Sequence, residues 1–137
     1  MTRTYLTAYV ATAVAFLAVD SVWLSIMAAQ LYRPLLGDML AEDFDVVAAA
    51  LFYVLYVGGI VFFAVKPALE RGRAMTAALN GAFFGLCAYG THDLTNQATL
   101  KDWSTVITVA DLCWGTVLTA VAATVGFLVA SRIARRG

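Results

Sequence analysis

The sequence predicts an all-α membrane protein, an antiparallel bundle of four transmembrane helices with both termini in the cytoplasm. Three observations carry this. Hydrophobic residues make up 62% of the 137 and charged residues 13%, whereas a soluble domain has roughly 45–50% and about 25%. Four long apolar runs can be counted, and the basic residues outside them gather on one side. The nine basic and nine acidic residues cancel, so nothing in the charge balance points to nucleic acid. One domain is expected over 1–137, with no linker and no low-complexity tract.

The runs place helices at about 5–31, 46–65, 74–97 and 105–131. Each reaches the roughly 20 residues needed to cross about 30 Å of hydrocarbon. A barrel would need polar/apolar alternation over about 10 residues per strand, and none of the runs alternates. The first run exceeds a signal-peptide core of about 7–15 residues and contains Asp20 and Trp23. It is therefore expected to be retained as a helix that acts as its own insertion signal. In the loop "YRPLLGDMLAEDF" (32–44), Leu35, Leu36, Met39 and Leu40 have helical spacing, so a short interfacial helix is expected. Lys66-Pro67 is expected to end the second helix, and "RIARR" near the C-terminus reads as a stop-transfer charge cluster. Tyr5, Tyr9, Tyr32 and Trp103, near the run ends, read as interface anchors. Cys87 and Cys113 lie within apolar runs, where a thiol behaves as a small hydrophobe, and no disulfide is expected.

Orientation follows from the loops. Arg3, Lys66, Arg71, Arg73, Arg132, Arg135 and Arg136 fall on one side, and only Arg33 and Lys101 on the other. The positive-inside rule then puts the first side in the cytoplasm. The expected location is the bacterial cytoplasmic (inner) membrane, crossed several times. The longest loop, acidic and near residues 32–45, faces outward.

Depth can now be counted at about 1.5 Å per residue. Asp20 lies about 22 Å from the cytoplasmic edge, and Asp111 about 9 Å below the outer one. Tyr53 and Tyr56 fall about 10–15 Å below the outer edge. The third helix brings His92, Asp93 and Asn96 to its outer end. Four helices thus deliver polar groups to one layer. Ionisable groups at such depth are costly, and they face a bundle interior or a wet cavity.

"DSVW" (20–23) and "DLCW" (111–114) share the pattern D-x-x-W, which sets carboxylate and indole on one helix face. The two copies run in opposite directions, as an inverted repeat would. Gly81, Gly85 and Ala88 form one small-residue stripe, and Gly115, Thr119, Ala122 and Gly126 another; such stripes let membrane helices approach closely. His92 and Asn96 continue the first stripe, and Gly58 and Gly59 are expected to act similarly in the second helix. The expected ligand-binding residues are Asp20, Trp23, Tyr53, Tyr56, Asp93, Asn96, Asp111 and Trp114.

The blocks "YVLYVGGIVFFAVKPAL" (53–69), "YGTHDLTN" (89–96), the K-D-W loop (101–103) and "DLCWG" (111–115), with D-x-x-W-L in the first helix, resemble the DUF2177 family of predicted bacterial membrane proteins over nearly the whole chain. The resemblance implies a four-helix bundle and no established biochemical function. It also implies an association with membrane-lipid modification genes. The family shows tyrosine more often than histidine at the position of His92, so the resemblance assigns His92 no catalytic or metal role.

Three readings of the polar layer follow. It binds or transports a small ligand, a cation or proton, or a lipid, with membrane lipid as a partner and a homodimer to complete a pathway. Alternatively, it serves an enzyme or accessory subunit of membrane-lipid modification, with paired carboxyls as acid and base. The chain has no nucleophile-elbow motif, no HExxH and a single histidine. The third reading is purely structural, with polar groups bonding across helices. No cofactor is called for and no stable metal site is expected, although the oxygen ligands Asp20, Asp93 and Asp111 with His92 would favour Mg or Ca.

Overall fold

The computed structural model describes residues 2–40 and 45–136. Helix α1, Thr2–Met27, continues without a break through a π turn at Ala28–Tyr32. It then passes through a short α2 at Arg33–Leu36 and a 3-10 turn at Gly37–Met39. Helix α3, Val46–Ile60, likewise passes through a π turn at Val61–Val65 into α4, Lys66–Arg71. Two long helices follow, α5 at Ala74–Thr99 and α6 at Thr105–Arg136. Among the described residues there is no strand. Three of the four rods, Thr2–Met39, Val46–Arg71 and Thr105–Arg136, are long and apolar enough to cross a membrane. α5 has the length, 26 residues, but not the apolar content.

Sequence chemistry fixes the ends. The Asp45 side chain caps α3 by accepting from the Ala48 N–H at 3.0 Å, one of the orphan donors of a helix start. Gly72 ends α4 in the left-handed region, φ 67°, where a Cβ is unfavourable. Pro67 does not end the second rod, contrary to the sequence expectation, and the first rod does not stop at residue 31. The reason is shared. The chain's two prolines each stand two residues beyond a π turn, Pro34 after Tyr32 and Pro67 after Val65. A proline offers no N–H and crowds the carbonyl four residues back; widening the preceding turn by one residue relieves the conflict and lets the helix run on. The expected interfacial helix therefore exists only as α2 and the turn after it, continuous with α1. Residues 41–44 of that stretch, with Glu42 and Asp43, lie outside the described residues.

Neighbouring rods run antiparallel. Phe16 meets Tyr56 edge-on with ring centroids 5.4 Å apart, joining α1 to α3. Asn80 Nδ2 donates to the Phe63 carbonyl at 3.1 Å, and Phe84 stacks on Tyr56 at 5.2 Å, joining the second rod to α5. The closest approach is α5 against α6. A Cβ on Gly81 would stand 2.9 Å from both Ala123 Cβ and the Thr119 carbonyl, and one on Gly85 would strike the Gly115 carbonyl oxygen. A Cβ on Gly126 would strike Thr12 Oγ1 of α1. The small-residue stripes are thus the packing faces, as expected. Of the α3 glycines, Gly59 lies against Phe84, whereas Gly58 has open space. α5 is the least apolar rod for a physical reason: its buried face is Thr76, Ala77, Gly81, Gly85, Gly90 and Asp93, small or polar groups turned to protein. Its outer face, with Leu79 and Phe83, is exposed and apolar like those of the other rods. Cys87 and Cys113 are free and also face outward.

This packing can be checked by a pair of glycine substitutions. Gly85→Ala forces a methyl against the α6 backbone and is expected to cost about 1–3 kcal/mol. Gly58→Ala meets nothing and removes backbone freedom, so it is expected to be neutral or slightly stabilising. Thermal unfolding of both variants in detergent is the measurement. Equal stability of the two would refute the close α5–α6 contact.

Candidate functional site

Each of the three intramembrane acids points into the bundle: Asp20 is 7% exposed, Asp93 0% and Asp111 8%. α1 brings Asp20 and Trp23 to the end where α6 begins with Asp111 and Trp114. The indoles of the two D-x-x-W motifs stack face to face, centroids 4.4 Å apart and planes 7° from parallel. Each then reaches across to the other motif's acid. Trp114 Nε1 donates to Asp20 Oδ1 at 3.3 Å. Trp23 Nε1 donates to the Tyr32 hydroxyl at 3.1 Å, and that hydroxyl donates to Asp111 Oδ1. On the other side of Asp20, the Tyr53 hydroxyl donates to Oδ2 at 3.0 Å. Each acid therefore accepts from one tyrosine and is linked, directly or through Tyr32, to the opposite tryptophan.

The four rods enclose a cavity of about 400 Å³ beside this arrangement, within the range of small-molecule sites. Asp20, Asp111, both stacked tryptophans and Tyr53 line it, joined by Tyr32, Tyr89, Phe52 and His92. His92 is exposed and stands edge-on to Trp103 at 6.0 Å. Asp93 lies beside the Asp111 carboxyl but does not line the cavity, and among the described residues no N–H or hydroxyl donates to either of its oxygens.

Five of the eight residues expected from sequence, Asp20, Trp23, Tyr53, Asp111 and Trp114, meet at the cavity. The other three depart from expectation. Tyr56 is buried against α6, and its hydroxyl is spent on Thr119 Oγ1 at 2.7 Å. Three residues on from Tyr53, it shares that side of α3 but stands about one turn further along, where α6 offers Thr119. Asn96 is half-buried and does not line the cavity. Asp93 sits behind Asp111 rather than at the wall. The buried stripe of α5 runs through Gly81, Gly85 and Asp93, with Tyr89 between them in the same four-residue step. It does not run through His92 and Asn96. That spacing was the sequence signal for Tyr89. Tyr32 is no mere interface anchor, and Tyr9 reaches the Val54 carbonyl at 2.8 Å. Among the described residues no group of three or more His, Cys, Asp or Glu could hold a metal ion.

The model of a family described as "Predicted membrane protein (DUF2177)" matches residues 5–128. The chain belongs to the DUF2177 family. The matched region contains both D-x-x-W motifs, Tyr32, Tyr53, Tyr89 and Asp93, so every group of the cavity described above falls within the DUF2177 match. Neither a curated protein nor a solved structure matches the chain.

The bridging role of Tyr32 yields a direct test. Tyr32→Phe leaves both the Trp23 N–H and an Asp111 oxygen without their partner, and an unsatisfied buried group costs about 1–3 kcal/mol. Tyr5→Phe, at a hydroxyl with no partner among the described residues, is expected to change little. Thermal stability of the two variants in one detergent checks this, and a Tyr32→Phe protein as stable as Tyr5→Phe would remove the bridge from the account.

Proposed function

We propose that this membrane protein binds a small ligand within the bundle, at the cavity walled by the two D-x-x-W motifs. The observation that supports this best is the cavity itself. A polar cluster that served only to lock helices together would pair its oxygens within the protein and leave no room. Here about 400 Å³ adjoins Asp20 and Asp111, and Asp93, at 0% exposure, has no neighbour among the described residues to pair with but the Asp111 carboxyl. Burying two acids side by side is destabilising, and such cost is commonly retained where a site acts. Much of the wall is ring surface, suited to an apolar body, and the polar atoms gather at the acids. The expected chemistry is binding, or carriage across the membrane with a second copy of the chain completing the path. The asymmetry of basic residues between the loops supports a cavity toward the outer face of a bacterial inner membrane.

Asp20→Asn and Asp111→Asn separate binding from a structural role. An amide oxygen still accepts a hydrogen bond, so both variants are expected to stay folded, with unfolding temperatures within a few degrees of the parent. Mass spectrometry of the protein purified in mild detergent is expected to find a co-purifying small molecule or lipid in the parent and to lose it in both variants. Variants that retain the parent's bound molecules, and that fully complement a deletion strain, would leave only the structural role.

A further inference from the structure

The cavity's own chemistry narrows what it can hold. Its wall carries two carboxylates, Asp20 and Asp111, and among the described residues no lysine or arginine lines it. A third acid, Asp93, lies directly behind. Carboxylates taken out of water without a counter-charge are strongly disfavoured, and apart from the His92 ring the wall holds no basic group among the described residues.

The donors tell the same story. Four N–H or O–H groups of the wall are already engaged: Trp114 and Tyr53 on Asp20, Trp23 on Tyr32, and Tyr32 on Asp111. An anion or a carbonyl compound would be left with the Tyr89 hydroxyl and the His92 ring N–H, the wall's other donors. What the two acids add is acceptor capacity, since a carboxylate has about four lone-pair sites. Asp20 uses two of them, and Asp111 Oδ2 accepts from none of the four donors just named.

Most of the remaining wall is aromatic: Trp23, Trp114, Tyr32, Tyr53, Tyr89 and Phe52. The faces of such rings attract cations, tryptophan most strongly, and more so away from water. Their apolar area also suits alkyl groups. A bare metal ion would instead need a close set of oxygen ligands, which the described residues do not assemble.

We propose that the cavity takes an organic ammonium group, its charge held by Asp20 and Asp111 and its alkyl substituents by the surrounding aromatic rings. This rests on the binding role proposed above and names the chemical class of the ligand. An ammonium could arrive as a free small molecule or on a lipid headgroup, and the two share this chemistry.

The test compares three probes of nearly one shape: choline, its uncharged carbon isostere 3,3-dimethylbutan-1-ol, and the anion 3,3-dimethylbutanoate. The full chain is placed in nanodiscs of phosphatidylglycerol alone, which carry no ammonium. Binding is read from the fluorescence of the stacked tryptophans, in a Trp103→Phe background that leaves Trp23 and Trp114 as the only indoles. Choline is expected to bind at least about tenfold more tightly than the alcohol, with the anion weakest. Asp111→Asn is expected to reduce the choline affinity at least about tenfold while affecting the alcohol little. In nanodiscs that include phosphatidylethanolamine, a weaker apparent choline affinity assigns the site to lipid-borne ammonium, and an unchanged one to free ammonium. If the alcohol or the anion binds as tightly as choline, the cation proposal fails while a binding site stands. If none of the probes binds and the purified protein carries no small molecule or lipid, both readings fail.

Discussion

The rest of the structure depends on one arrangement: two antiparallel helices exchange hydrogen bonds through a stacked pair of indoles. Asp20 and Asp111 are expensive to place inside a membrane. Each is made tolerable by donors from the opposite strand of the pair rather than from its own motif. Trp114 serves Asp20, and Trp23 serves Asp111 through Tyr32. Stacking of the rings at 4.4 Å contributes about 0.5–1.5 kcal/mol beyond burial, but its larger effect is geometric. It fixes α1 against α6 in one register, because sliding either helix by a turn would separate both acids from their donors.

The remaining features serve that register. Glycines at 81, 85 and 115 let α5 and α6 approach until backbone touches side chain and backbone, and this brings Tyr89 and Asp93 to the acids. The π turn at Ala28–Tyr32 keeps the first rod helical past Met27 and delivers Tyr32 to the gap between Trp23 and Asp111. In an unbroken α-helix, the nine residues from Trp23 to Tyr32 are about two and a half turns, which would set the two side chains on opposite sides. A second π turn, ahead of Pro67, lets the other broken rod run on to Arg71 in the same way. With the Trp23, Trp114, Tyr32 and Tyr53 donors engaged internally, the acids and the ring faces make up most of what the cavity wall presents.

Much of this was legible in the residues because membranes penalise polarity so heavily. Asp20 and Asp111 announced themselves by standing in apolar runs, their tryptophans by the repeated spacing, and Tyr53 by depth. A depth counted from a helix edge does not resolve a single turn, however, and Tyr56, about one turn beyond Tyr53 on the same face, was expected at the cavity but bonds Thr119. The α5 face was misjudged as well. A small-residue stripe can be drawn through Ala88 to His92 and Asn96, or through Tyr89 to Asp93, and only packing against α6 selects the second. The helix ends at residue 31 and at Pro67 were misplaced because a π turn leaves no compositional mark. Proline ordinarily stops a helix, and nothing in the letters says that a turn will widen to admit it. The apolar content of α5 fell short of a membrane span for the reason that makes it important, since so much of its surface is turned to the bundle.

The exchange of bonds between the motifs is tested most directly by a double-mutant cycle on Trp114 and Asp20. Trp114→Phe keeps a ring for stacking and removes the N–H, and Asp20→Ala removes the acceptor. Unfolding free energies of the parent, both single variants and the double variant are measured by reversible denaturant titration in mixed micelles. If the indole serves the opposite motif's acid, the loss in the double variant falls short of the sum of the single losses by about 0.5–3 kcal/mol. Losses that add within about 0.5 kcal/mol would mean that the two residues act independently, and the account of the crossed motifs would be wrong.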